Sequence, residues 1–550
     1  MRVPDDGVLS LSDVFDACVD CLDPRDDQLT ALRRLLQSVS TRLREPLRLA
    51  VAGQIKRGKS TLVNALIGER VVLTGGLELT FTVNELRYAA EPVARIHYKD
   101  GRPSHSVPPA DLAAWTARDD SRVDLLSQVR LVELGLPIPL LNDFHLLDTP
   151  GLGSRHGTDS ANTMDLLGID DPRERQVVAD ALAAVGRSAV DVHEDSSSAV
   201  ERADAVLYVF SRAVNTHDQS IVTGFLDGVL SPFKTFGVVS QCDRFWAREV
   251  RKDYLEHDPM ADGRALSAEF LRDPRLRPLF YTIIPVAAQL AVGSVCLTEQ
   301  HFTWLADMAR RDLAEVVDAI VWGLPFDESV VGLPNDHCRE LVALLGQWGL
   351  ALAVRYLRDG ESPNQVRSRL LGHSGVPELR EIVIRHFGAR SAVLKLHQGI
   401  NEVEREIARL RANPAHGAAE VNEVAAQVRG LRRSVPGLLE LELLAPHYNG
   451  ELDLGERDAA ELLRLTGENG RSLAARVGVP ADAAPRAIEE AARAKAIRWA
   501  VHEQDPLLDR TTVEVASGMR KLYERIRYRA GSAARLVESI DDLSMERRLG

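Results

Sequence analysis

The sequence predicts two architectures in one chain: an α/β domain with a mostly parallel sheet and helices on both faces, and an all-α helical bundle built from both chain ends. Three observations carry this. Between about residues 47 and 390, short apolar runs alternate with helical or loop segments, the pattern of strands buried on both sides. At both ends of the chain Leu, Ile and Val recur at helical spacing. At 550 residues the chain exceeds what one hydrophobic core serves, so more than one domain is required. The expected divisions are residues 1–46 (helices joining the bundle), 47–390 (the α/β domain) and 391–550 (the bundle, or stalk).

Residues 8–44 read as helix. Leu11, Val14, Phe15, Cys18 and Leu22 share a face, Pro24 breaks the pattern, and Leu29, Leu32, Leu35 and Leu36 resume it, with Ser12 as the candidate N-cap. Leu47–Gly53 is a short apolar strand ending in glycine, and Thr82–Ala89 with Val93–Gly101 read as a hairpin or paired strands. Phe144–Gly151, Ala203–Ser211, Phe233–Asp243 and Leu279–Ala288 are further strands. The polar stretch Leu152–Val200 reads as a mobile loop with a helix near Arg173–Gly186. Leu341–Leu357 is strongly apolar, but it contains Gln347 and Arg355 and is short for a span, so it is expected as a buried helix. Beyond 391, helices are expected over Leu394–Ala412, Glu420–Arg433, Arg457–Leu465, Ala484–Val501 and Thr511–Leu536.

A net charge of −13 opposes broad electrostatic binding to nucleic acid, so no nucleic-acid partner is expected. Five cysteines, an odd and sparse set, argue against a disulfide framework. The first residues lack a basic segment followed by an apolar core, so no signal peptide is expected. The expected location is cytoplasmic, with any membrane contact peripheral at the inner face of the cell membrane.

Gly53-Gln54-Ile55-Lys56-Arg57-Gly58-Lys59-Ser60 matches the phosphate-binding loop pattern G-x4-G-K-[ST], preceded by a strand and followed by a helix that opens with Thr61. Glycines let consecutive backbone N–H groups face a phosphate, and the helix points its positive end there. Lys59 is the expected bridge between β- and γ-phosphates, and the Ser60 hydroxyl a ligand of Mg²⁺. Asp148-Thr-Pro-Gly151 follows another apolar strand. Asp148 would hold the Mg²⁺ shell through water, and the Gly151 N–H would meet the γ-phosphate. Thr80, between the loop's helix and the next strand, is the expected threonine that closes on Mg²⁺. Ser240-Gln241-Cys242-Asp243 ends a further strand. Asp243 can accept from N1–H and the exocyclic amine of guanine, a donor pair adenine lacks, which selects GTP. Gln241 would cover the base with its aliphatic part, and Ala287-Ala288 is the candidate last base-contacting loop. The reading is therefore an α/β P-loop GTPase domain, EC-type hydrolysis of GTP to GDP and phosphate, with GTP and Mg²⁺ bound. An ATPase remains the reading if Asp243 closes an ordinary turn.

The set GQIKRGKSTLVNALIGE, LTGGLELTFTVNELRY, LLDTPGLGS and VVSQCD resembles the dynamin superfamily, specifically bacterial dynamin-like GTPases. Ser374–Lys395 is similar to the end of the GTPase domain in the actinobacterial isoniazid-inducible group. The resemblance covers about residues 45–395. It implies GTP hydrolysis coupled to homodimerisation or oligomerisation through the GTPase domain and to stalk movement, acting on membranes. Departures are Leu79-Thr80-Phe81 where relatives often carry Pro-Thr-Thr, and Ser240-Gln241 where Asn or Thr and Lys are usual.

Leu152 stands where Ras-like GTPases place the water-orienting glutamine, so catalysis must draw on other groups. Lys56 or Arg57 is the candidate internal cation. Leu431–Leu444, with Arg432-Arg433 beside a Pro-Gly turn, is the candidate lipid contact, the alternative being a core helix. Two functions stay open: a membrane-remodelling mechanoenzyme that touches lipid peripherally, and a soluble regulatory or scaffolding GTPase that works with a partner such as a second, membrane-bound dynamin-like protein.

Overall fold

The structure is a computed structural model. It describes residues 10–54, 56–71, 82–100, 102–108, 128–150, 176, 182, 190–191, 195, 199–200, 203–210, 232–247, 254–412, 418–449, 451–452, 454–468 and 470–549. Two compact units emerge: Met1–Glu45 with Ala392–Gly550, and Pro46–Ser391.

The helical unit begins with α1 (Leu11–Asp20) and α2 (Thr30–Arg44). Ser10, not Ser12, is the N-cap of α1, and its N–H donates to Asp13 Oδ2 at 2.9 Å. Ser12 lies inside the first turn, bonded to the Ser10 hydroxyl, so the helix opens two residues earlier than the apolar repeat suggests.

The Pro46–Ser391 unit is built on β1 (Leu47–Gly53), β2 (Val83–Tyr88), β3 (Val93–Tyr98), β4 (His105–Val107), β5 (Val129–Leu136), β6 (Phe144–Asp148), β7 (Ala205–Phe210), β8 (Thr235–Val239) and β9 (Ile283–Pro285). They form one sheet in the order β4-β3-β5-β2-β6-β1-β7-β8-β9. From β6 through β1 to β9 all pairings are parallel. The other half is mixed: β2 runs antiparallel to β6 but parallel to β5, and β3 is antiparallel to both β4 and β5. β2 and β3 are therefore not a hairpin, because β5 lies between them. The strands β4 and β5 have no counterpart in the sequence reading. β5 hides there because Arg130 and Glu133 interrupt its apolar run. In the fold Glu133 is buried but paired with Arg95 at 3.2 Å and with His97 at 3.2 Å.

Helices cover this sheet: α3 (Lys59–Ile67), α4 (Pro259–Arg272), α5 (Ala288–Cys296), α6 (Glu299–Ala309), α7 (Leu313–Trp322), α8 (Glu328–Val331), α9 (Asn335–Arg358), α10 (Pro363–His373) and α11 (Val376–Val383). By length and composition α9 could cross a membrane. Its Leu341, Leu345, Trp348, Leu350, Leu352 and Val354 are instead buried in the core of this unit. α9 also bends sharply at Gly346.

The remaining helices are α12 (Ala389–Ala412), α13 (Ala418–Ser434), α14 (Pro436–Asn449), α15 (Glu456–Leu465), α16 (Leu473–Val477), α17 (Pro485–His502) and α18 (Arg510–Leu549). Phe15, Leu32, Leu36 and Val39 of α1 and α2 share a core with Leu396, Ile400 and Val403 of α12 and Val421, Val424 and Val428 of α13. Gly399 lets Val39 close in, since a Cβ there would lie 2.5 Å from Val39 Cγ1. Leu431, Leu438, Leu441, Leu443 and Leu444 are buried, so the candidate lipid-contact stretch is core. Its apolar run serves helix packing, which a pattern of leucines beside a turn does not distinguish from a lipid-facing tip. One buried carboxylate fastens three helices: Glu461 of α15 accepts from Trp499 Nε1 of α17 at 2.9 Å and from the Tyr523 hydroxyl of α18 at 3.0 Å. Arg498 at 3.2 Å and Lys495 at 3.3 Å supply the opposing charge.

Candidate nucleotide-binding site

The phosphate-binding loop joins β1 to α3. Gly53 has φ 142, and a Cβ there would strike Val209 O of β7 at 2.6 Å, so the strand can end in this way only on glycine. Gly58 caps α3 with φ 85, and Lys56 between them also takes a positive φ, of 60. The turn directs Lys59 inward, where its Nζ donates to Gln54 O at 2.8 Å. Parallel pairing sets Val51 beside Asp148, at the end of β6. The Ser60 hydroxyl donates to Asp148 Oδ2 at 2.7 Å.

Asp148 is completely buried, and its Oδ1 has no hydrogen-bond partner among the described residues. Burial pushes its carboxyl up to about 6, against the Ser60 hydrogen bond, the Lys59 charge and Asn84. Burial likewise brings Lys59 down to about 8, against the pull of Asp148. A hydroxyl and an underused carboxylate form an oxygen set suited to a hard cation, next to a lysine suited to a phosphate. These residues fit Mg²⁺ and a nucleoside triphosphate. Asn84 of β2, in register with Asp148, belongs to this arrangement and was not among the expected residues. Its only sequence signal is an uncharged polar residue next to the start of an apolar strand.

Arg57 folds back into the loop, donating from Nη2 to Gln54 Oε1 at 2.6 Å, whereas Lys56 is exposed. Thr61 follows in the first turn of α3, half-buried.

The base side is stitched to the same loop. The Ser240 hydroxyl lies 2.7 Å from Arg57 O and 2.8 Å from Phe210 O, with its one hydrogen in reach of either carbonyl. Gln241, at φ 58, donates from Nε2 to Lys56 O at 3.3 Å. The loops after β8 and β9 are bonded to each other, Val286 N–H to Val239 O at 2.8 Å and Cys242 N–H to Val286 O at 3.3 Å. Asp243 is half-buried in the short turn Cys242–Phe245, and Ala288 opens α5. Gly53, Gln54, Lys56, Arg57, Gly58, Lys59, Ser60, Thr61, Asp148, Gln241, Asp243 and Ala288 thus gather at the C-terminal ends of the parallel strands, where open α/β sheets bind ligands. Ile55, Thr80 and Gly151 lie outside the described residues, as does most of Leu152–Val200.

The family model described as the dynamin family matches residues 49–226, the stretch that holds the phosphate-binding loop and Asp148. A dynamin-family domain thus accounts for about a third of the chain, and the chain is similar to bacterial dynamin-like proteins. The chain is 27% identical over 481 residues to the isoniazid-induced protein IniC of Mycobacterium tuberculosis, covering 86% of the chain and 88% of that relative. It is 30% identical over 154 residues to dynamin-like protein 2 of Campylobacter jejuni, 28% of the chain and 24% of the relative. Among solved structures, a chain of an oligomerised bacterial dynamin pair, linked to long-range sensing and tethering of membranes, matches at 13% identity and a TM-score of 0.33, over 99% of this chain and 80% of that one. The dynamin-family match implies a GTPase, and the candidate nucleotide site lies on the Pro46–Ser391 unit.

Proposed function

We propose that the protein hydrolyses GTP with Mg²⁺ and couples turnover to self-association and to movement of its helical unit, in membrane remodelling or maintenance. The observation that carries the hydrolytic reading is the buried group of Lys59, Ser60 and Asp148, whose unpartnered Oδ1 and lowered lysine are costly to fold without a charged ligand. Mg²⁺, held by Ser60, Thr80 and the outer shell of Asp148, would supply charge neutralisation at the β- and γ-phosphates. Lys59 holds the same phosphates from the loop side. Asp243 accepts from the guanine edge, and Gln241, tied to Lys56, lies over the base. With leucine at position 152, a cation must meet the charge that develops on the γ-phosphate. Lys56 is the better candidate because its side chain is exposed while that of Arg57 is partly buried. Docking of a second GTPase domain over the site would press Lys56 inward.

A second reading has its own support. The Leu431–Leu444 stretch is core, which removes the candidate lipid contact and favours a soluble GTPase acting through a partner, such as a membrane-bound dynamin-like protein. GTP turnover measured against protein concentration, with and without anionic liposomes, separates the two. Specific activity that rises with concentration and again with liposomes supports the membrane reading. Activity that rises with concentration but ignores lipid supports the partner reading. No turnover at any concentration rejects both.

A further inference from the structure

Helix α9 breaks at Gly346, where φ 69 and ψ 175 fall in a region that only glycine occupies without strain. The break lies against both loops assigned to the base. A Cβ on Gly346 would sit 3.2 Å from Asp243 Oδ2. Gln289, next after Ala288, donates from Nε2 to Ala343 O at 2.8 Å and reaches Val342 O at 3.4 Å. A helix interrupted at 346 leaves carbonyls of the preceding turn without their usual donors, and Gln289 takes two of them. The approach of α5 is close, since a Cβ on Gly293 would meet Leu344 O at 2.0 Å. On another side Gln347 Nε2 donates to Ile320 O of α7 at 2.5 Å. The backbone at 342–347 is therefore clamped by α5 and α7, and the Asp243 carboxylate rests on its one bare Cα. A continuous helix would carry a side chain at that point and push the carboxylate away.

We propose that the break in α9 sets base selectivity: Gly346 and Gln289 are positioning residues that hold Asp243 and the Ala288 loop at the spacing a guanine edge requires. This rests on the guanine reading of Asp243 made above. A break that served packing alone would alter stability without altering which base is preferred.

The experiment is calorimetric titration of the full chain with Mg²⁺ and either GDP or inosine diphosphate, which lacks the exocyclic amine. Wild type, Asp243→Asn, Gly346→Ala and Gln289→Ala are compared, with melting curves recorded for each. Wild type should prefer GDP about tenfold or more, the worth of one hydrogen bond to a charged acceptor. Gly346→Ala should cut that preference to about threefold or less, with a smaller change in affinity for inosine diphosphate. A folded Gly346→Ala protein with the wild-type ratio overturns the proposal while Asp243→Asn, by losing the ratio, upholds the guanine reading. Where Gly346→Ala does not fold, Gln289→Ala decides by the same ratio. A wild type without preference, or an Asp243→Asn protein that keeps it, defeats the guanine reading and this proposal together.

Discussion

Lys59 and Asp148 are each expensive to bury, and the proposed nucleotide site gives a reason to keep both. Asp148→Asn keeps the acceptor for Ser60 and removes the buried charge. It should raise the melting temperature of the nucleotide-free protein by a few degrees while lowering Mg²⁺-dependent turnover about a hundredfold or more, measured by calorimetry and phosphate release. Glu85 shows the opposite balance. Burial alone would raise its carboxyl, but the close approach of His145, 3.4 Å from Glu85 Oε1, and the charges of Arg87 and Arg48 outweigh burial and hold it at about 2. A depressed carboxyl contributes stability that is fully present above its unfolded value of 4.5 and is lost as pH falls towards 2. Glu85→Gln should therefore melt several degrees below wild type at pH 7, and the gap should close between pH 4.5 and 2. Residues of this scale are legible when the backbone demands a type. Gly53 and Gly58 read from sequence because their φ of 142 and 85 require glycine. Gly346 makes a similar demand, yet nothing nearby in sequence says so, since its neighbour Asp243 is far along the chain.

Strands and helices were legible where their apolar period was unbroken. β1 and β6–β9 read directly as buried runs. β5 did not, because its Glu133 is satisfied by partners on β3, a contact no local pattern reveals. The same holds for Glu461, a polar residue on an amphipathic helix by sequence and a tie between α15, α17 and α18 in the fold. Glu461→Ala leaves Lys495 without its carboxylate, leaves Arg498 with Asp458 alone, and opens a void beside Trp499. It should cost roughly 3–5 kcal/mol, read as a lower urea midpoint for the helical unit. The leucines of 431–444 read equally well as core or as lipid contact; only burial separates the two.

At the scale of the whole molecule, the division into an α/β unit and a helical unit drawn from both ends was legible from the change in period along the chain. The strand order was not, because the mixed half of the sheet depends on long-range pairing. A nucleotide that binds the Pro46–Ser391 unit should stabilise it by about 2.7 kcal/mol at a hundred times its Kd. Hydrogen exchange should slow over β1 and β6–β9 when Mg²⁺ and GDP are added, and stay unchanged over α15–α18. Equal slowing of both regions would contradict nucleotide binding confined to the α/β unit.

The helical core that joins both termini also sets an order of assembly during synthesis. α1 and α2 leave the ribosome well before the helices they pack on: Phe15, Leu32, Leu36 and Val39 are buried against α12 and α13, translated more than three hundred residues later. At ordinary translation rates that interval is on the order of 20–80 s. The Pro46–Ser391 unit is contiguous and can close within it, while two greasy helices wait at its leading edge. Each nascent chain thus passes through a window in which α1 and α2 can pair with those of a neighbour on the same message.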